Sequence, residues 1–200
     1  MVVKRGEEWG EEVSTPLPDA VVVTSDAAVA GAIGGSEGRP VVVRGGDLHR
    51  SLGAPGSTAA TRRVPIDLIA VTVDGRRLTA VAHVVVRRRG RLGWWRGSVF
   101  AVLNVDHVGS WDAAPRAHPN DGWLDVVEVA QSMSVRTRWQ AWQRVRTGDH
   151  VPHPDITTRR IRSEALSFDG QVGVWVDGVD CGTVATLDVE IVPDAAEIYV

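Results

Sequence analysis

The sequence predicts an α+β protein: a reduced α/β segment over residues 1–60, followed by an antiparallel β-sandwich over residues 61–200. Three observations carry this reading. Before residue 55, short valine runs alternate with helical stretches, the order of a small α/β unit. After residue 61, β-branched runs far outnumber helical stretches. Asp-Gly pairs at 74–75, 121–122 and 177–178 punctuate those runs as tight turns do, because Asp bonds nearby amides and Gly tolerates positive φ.

Taken in order, the acidic start MVVKRGEEWGEEV reads as a lead-in ending at Pro16-Leu17-Pro18, with no apolar signal core. Residues 20–24 form a short buried strand. Ser25 or Asp26 caps a helix over 27–33, which Gly34-Gly35 stops. A second strand spans 40–44, Gly45-Gly46-Asp47 turns the chain, and 48–52 make a short helix ending at Gly53. Strands are then expected at 64–73 and 78–87, joined by a hairpin at Asp74-Gly75. Others follow at 98–105, 123–129, 156–168, 171–176 and 183–192. One helix interrupts them, over about 135–146. It places Val135, Trp139, Trp142 and Val145 on one face and is stopped by Gly148.

Composition bounds the partners. Hydrophobic residues make up 44% of the chain, enough for a core, and no apolar run approaches the ~18 residues of a membrane span. The single cysteine, Cys181, excludes an internal disulfide and fits a reducing, cytoplasmic setting. A net charge of −3 favours neither nucleic acid nor membrane. The distribution is uneven, however: residues 75–105 contain no acid but hold Arg76, Arg77, Arg87, Arg88, Arg89, Arg91 and Arg96. The segment Arg87–Arg96, with Trp94 and Trp95, therefore reads either as a solvated hairpin tip or as a peripheral membrane contact, with nucleic acid less favoured.

Residues 113–129 are the densest motif. A proline-punctuated loop runs through His118 and Asn120 into Asp121-Gly122-Trp123 and then an alternating strand. Such a loop presents a carboxylate and carbonyls of the kind a hard cation binds, or is simply a tight turn. His150 and His153, between Asp149 and Asp155, lie in a loop with two prolines and read as loop rather than as a zinc site. His83 sits within a strand as a packed or hydrogen-bonded residue. Ser110 has no base partner, and Cys181 has no activating neighbour.

The stretch Ala114-Pro115…Asp121-Gly122-Trp123-Leu124-Asp125-Val126 resembles the signature of the diacylglycerol kinase family, the bacterial lipid kinases, and the resemblance extends over about residues 20–200. It implies a diacylglycerol kinase/NAD kinase-like fold and transfer of the γ-phosphoryl of ATP to a lipid hydroxyl. It also implies a structural Mg²⁺ held by Asp121 and by the carbonyls of His118 and Trp123. Asp26 falls where the family has a glycine-rich phosphate turn, and Arg44-Gly45-Gly46-Asp47 falls in the next conserved block. This makes Asp26, Asp47 and Arg44 the candidates on the nucleotide side. At the family's strand-end base, Asp177-Gly178 persists but Val179 stands where the Glu is expected, leaving Asp177 or Asp180 as substitutes. The phosphate glycines and the base are thus lost while the framework persists. ATP binding is therefore doubtful, and the expected protein is a lipid-kinase relative with little or no activity that binds a lipid or phosphorylated ligand. Alternatives are an active lipid kinase with a rewired site and a basic membrane- or nucleic-acid-binding module. A homo-oligomer stays open.

Overall fold

The computed structural model describes residues 9–14, 17–35, 38–53, 56, 62–148 and 150–200. The acidic start before residue 9, Pro16 and Asp149 lie outside them, as does the expected boundary at residues 60–61.

The elements in chain order are β1 (Glu11–Glu12), β2 (Val21–Val23), α1 (Asp26–Gly35), β3 (Val41–Val43), α2 (Gly46–Ser51), β4 (Arg62–Val73), β5 (Arg76–Ala80), β6 (His83–Arg87) and β7 (Val99–Leu103). They continue with β8 (His107–Val108), β9 (Trp111–Asp112), β10 (Leu124–Val129), α3 (Val135–Arg144), a 3-10 turn (Val145–Thr147), β11 (Ile156–Ile161), β12 (Ser163–Val176) and β13 (Val179–Tyr199). Among the described residues, eleven strands join one sheet along the order β1-β4-β13-β12-β6-β7-β10-β11, with β5 beside β4 and the pair β2-β3 attached to β13. All pairings are antiparallel except β2 with β3 and β3 with β13. The sheet wraps a core of Ile69, Val84, Val102, Val126, Val174 and Leu187, as in an antiparallel β-sandwich. Among the described residues, no helix is long and apolar enough to cross a membrane.

Local chemistry explains the elements. Ser25 caps α1, accepting the Ala28 N–H at 3.3 Å. The β4–β5 and β12–β13 hairpins turn at Asp74-Gly75 and Asp177-Gly178. Both central residues have positive φ (44° and 82°, 47° and 79°), the primed turn that matches strand twist. β13 carries a bulge between Val192 and Ala196, opposite the step from Leu68 to Ile66 on β4. Asp67 fills it, taking the Asp194 N–H at 2.8 Å.

Four expectations change. The strand expected over 78–87 breaks at Val81-Ala82, because the Asp177 carboxylate takes the N–H groups of Val81, Ala82 and His83 away from the ladder. The break expected between 168 and 171 is absent, so β12 runs unbroken to Val176 with a register shift between Ser167 and Val172, and the strand expected over 156–168 is interrupted instead at Arg162. The last strand runs on to Tyr199. Finally, α3 turns Val135, Trp139 and Trp142 outward and buries Arg138 instead.

Among the described residues, the N-terminal segment shows no core separate from the sandwich. Val29, Val43 and Leu48 pack into one cluster with Val64, Ile66 and Ile198 of the sandwich. A third cluster, built on Val85, Leu103, Val127 and Met133, lies under α3.

Candidate functional site

An apolar concavity lies beneath α3. It is a cavity of about 380 Å³ floored by Val85, Val99, Ala101 and Val127 of the sheet, with Trp94, Trp95, Trp111 and Trp142 around it. That is within the ~300–1,000 Å³ range of ligand sites. α3 forms its roof through Ala141 and Trp142, and Val145 of the following turn completes it. Ser134 starts the helix by accepting the Thr137 N–H at 3.1 Å. Arg138 fixes the roof in place. Its guanidinium donates to the carbonyls of Trp94 (3.1 Å), Met133 (3.2 Å), Ala130 (2.8 Å) and Gly97. Burial pushes its pKa down, but four carbonyl partners compensate the buried charge. Arg138 and the buried His150 are the polar side chains of an otherwise apolar lining.

A second cluster lies where the N-terminal segment meets the sandwich. Asp26, Asp47 and His83 are buried, with ligating atoms within 4.8 Å of one another. Their carboxylates are hydrogen-bonded within the fold, while His83 Nδ1 is buried without a partner among the described residues. Asp26 accepts the N–H groups of Asp47 (2.7 Å) and Leu48 (3.0 Å) at the start of α2, where a bound anion would otherwise sit. Gly46, at φ 92°, is required here, since a Cβ would collide with the Asp26 carboxylate. Asp47 accepts from the Gly109 N–H at 2.8 Å and faces His83 Nε2 at 3.1 Å. Burial raises the pKa of Asp26. Burial also acts to raise Asp47, but the bonds from His83 and Gly109 prevail and lower it. For His83, burial acts downward, but the Asp47 bond and the charges of Asp177, Asp47 and Asp26 prevail and raise its pKa. Arg44 is half-buried just before this turn. Two expected nucleotide-side residues, Asp26 and Asp47, are thus brought together, but as a clamp. A phosphate approaching α2 would meet two carboxylates, with the Asp47 and Leu48 amides already taken by Asp26.

Asp177 and Asp180 part company. Asp177 is buried and accepts three backbone N–H bonds at 2.8–3.0 Å. Burial raises its pKa nonetheless. Asp180 is exposed and paired bidentately with Arg89, at 2.8 and 2.6 Å, which lowers its pKa. Val179 is exposed.

In the Asp121 loop, Asp121 accepts the Trp123 N–H at 3.0 Å through one oxygen and the Arg160 guanidinium through the other. Asn120 N–H reaches His118 Nδ1 at 3.2 Å, and Trp9 packs edge-on against that imidazole. Burial lowers the His118 pKa. Asp67 holds the loop from below, accepting the Gly122 N–H at 2.7 Å. The donor set as arranged does not fit Mg²⁺, because Arg160 already supplies the positive charge at Asp121. Asp125 next to it is pushed up to about 6, mainly by burial.

The basic stretch divides in the same way. Arg87 stacks between Trp175 (3.9 Å) and Trp94 (4.9 Å), and Arg89 is held by Asp180, so Arg88, Arg91 and Arg96 remain as the exposed charges. Sequence reasoning missed Asp67, Arg138 and Arg160. The signal for Asp67 was available, as one acid inside an apolar run. Arg138 and Arg160 gave none, because only the tertiary fold brings their partners near.

Comparison with known proteins agrees with this architecture. No curated protein matches the sequence. Among solved structures, a candidate diacylglycerol kinase from Bacillus anthracis str. Sterne superposes with a TM-score of 0.64 at 13% identity, over 90% of this chain and 77% of that one. A diacylglycerol kinase from the same organism gives 0.63 at 16% identity, over 90% and 75%. The family model described as the YegS C-terminal NAD kinase beta sandwich-like domain matches residues 63–200, the whole sandwich from β4 to the end. The chain belongs to that family.

Proposed function

We propose that this protein binds a lipid in the cavity beneath α3 and carries little or no phosphotransfer activity. The observation that carries the proposal is the contrast between two places. The cavity is open, apolar and ringed by four tryptophans, whereas the positions where a kinase of this fold would hold phosphate are closed by the chain's own carboxylates. An acyl chain gains ~0.8 kcal/mol per methylene moved from water into such a lining, so a few buried methylenes outweigh the cost of ordering the chain. The diacylglycerol kinases of similar fold make a diacylglycerol-type lipid the natural first ligand to test. Phosphoryl transfer depends on positioning and charge neutralisation. Neither is supported here: Asp177 is committed to three amides, Asp180 to Arg89, and Asp121 to Arg160.

Two measurements test this. A diacylglycerol bearing a spin-labelled acyl chain is expected to quench tryptophan emission saturably, and Ala101→Phe, which fills the cavity floor, is expected to abolish the quenching. Incubation with ATP, Mg²⁺ and diacylglycerol micelles is expected to yield no labelled phospholipid above background. Absence of quenching in the wild-type chain would overturn the lipid reading, and robust turnover would overturn the loss of catalysis.

A further inference from the structure

α3 is an amphipathic helix mounted the wrong way round. It buries an arginine and shows solvent two tryptophans and a valine. Trp139 (49%), Val135 (47%) and Trp142 (37%), with Leu92 (56%) of the neighbouring loop, are four of the seven large hydrophobic residues that stand exposed among the described residues. They are contiguous. Leu92, Trp95, Val135 and Trp139 line one shallow groove together with Arg96 and Arg136, and the rings of Trp95 and Trp142 meet edge-on at 6.2 Å. Isolated exposed apolar residues need no explanation, but a concentrated patch marks a contact surface.

The charge around the patch says what that contact is. Arg91, Arg96, Arg136, Arg144 and Arg146 are all exposed beside it. No acid occurs in residues 90–105 or 130–148, the two stretches that build the face. None of the five forms an ion pair among the described residues, in contrast to Arg89, which Asp180 holds. Arg146 lies over Trp142 at 5.9 Å, so cation and aromatic ring share one level. Tryptophan favours the boundary between apolar and aqueous phases, and arginine favours anionic headgroups. A helix with aromatic residues on one side and flanking arginines lies in the plane of such a boundary.

We infer that α3 and the loop over residues 91–96 form a face that docks on an anionic lipid bilayer. The surface stands on its own residues. It rests on the lipid reading of the cavity only for its purpose: Trp142 belongs both to the outer patch and to the cavity wall, so a lipid drawn from a docked bilayer passes beneath α3 without crossing water. The acid-free arginine rim, rather than the tryptophans alone, selects a bilayer over a second copy of the chain, which would bring five like charges against five.

The test is vesicle flotation with the full chain. Binding is expected to vesicles of phosphatidylcholine mixed with phosphatidylglycerol and to fall steeply with salt. It is expected to be weak on phosphatidylcholine alone. Arg91→Gln and Arg136→Gln are each expected to lower partitioning about fivefold. Leu92→Ser with Trp139→Ser should abolish it, and Arg76→Gln on the β4–β5 hairpin should leave it unchanged. These positions are all exposed, so the variants are expected to fold, and melting curves are the check. Ala101→Phe separates the two readings, since it is expected to remove quenching by spin-labelled diacylglycerol while leaving flotation intact. Equal flotation of Leu92→Ser/Trp139→Ser and wild type would overturn the inference. So would a dimer lost in that variant, or binding to single-stranded nucleic acid, if either occurs without flotation.

Discussion

At the scale of single residues, the molecule replaces external ligands with its own side chains. Asp26 occupies the amides of α2, and Arg160 sits on the Asp121 carboxylate. His83 carries the balance, facing Asp47 directly with Asp177 and Asp26 nearby. Its folded-state pKa is raised above the ordinary 6.5, so protonation favours the fold. That contribution is complete below the unfolded pKa of about 6.5 and is lost as the pH rises through the higher folded value. The melting temperature is therefore expected to fall over that window in the wild type and to fall less in His83→Gln. Scanning calorimetry across neutral pH checks this, and parallel slopes would contradict it. Asp26, Asp47 and Asp177 could be named from the sequence as residues of interest, because their positions matched a family pattern. Their structural employment could not be read, since it depends on His83 and on amides 21 to 96 residues away.

At the scale of elements, the strands were legible and the helix was legible only in part. Valine-rich runs and Asp-Gly turns fix strand identity locally, and the hairpins at 74–75 and 177–178 form where those residues stand. Periodicity also located α3 and its stop at Gly148, which takes φ 70°. It could not say which face turns inward, because Arg138 finds its carbonyls in two separate segments, 94–97 and 130–133. That arginine determines the helix's orientation. Arg138→Met is expected to destabilise the protein by about 3 kcal/mol, as removal of one partner from a buried charged network does. It should also weaken the near-ultraviolet signal of the tryptophans that line the cavity. Urea titration followed by circular dichroism reads both, and an unchanged midpoint would show that apolar packing alone holds α3.

At the scale of the whole molecule, the N-terminal segment and the sandwich share one cluster, in which Val29, Val43 and Leu48 cover Val64, Ile66 and Ile198. The family match begins at residue 63, yet that part alone would expose this cluster. A chain restricted to residues 62–200 is expected to bind an apolar dye and to melt without a cooperative transition. A sharp transition would show that the sandwich is self-sufficient. The two-part order was readable from the alternation of runs, but the shared core was not, because the pairing of Tyr199 with Val42 joins opposite ends of the chain. The bulge over residues 193–195 has a consequence for crowded solution. β12 accompanies β13 only as far as Glu190, so the following stretch of a long valine-bearing strand would offer its backbone to any neighbour. Pro193 has no N–H to offer, and Asp194 has already given its own to Asp67. A stray strand from another molecule thus finds two rungs missing in succession, which weakens any pairing there and disfavours fibrillar growth along this margin.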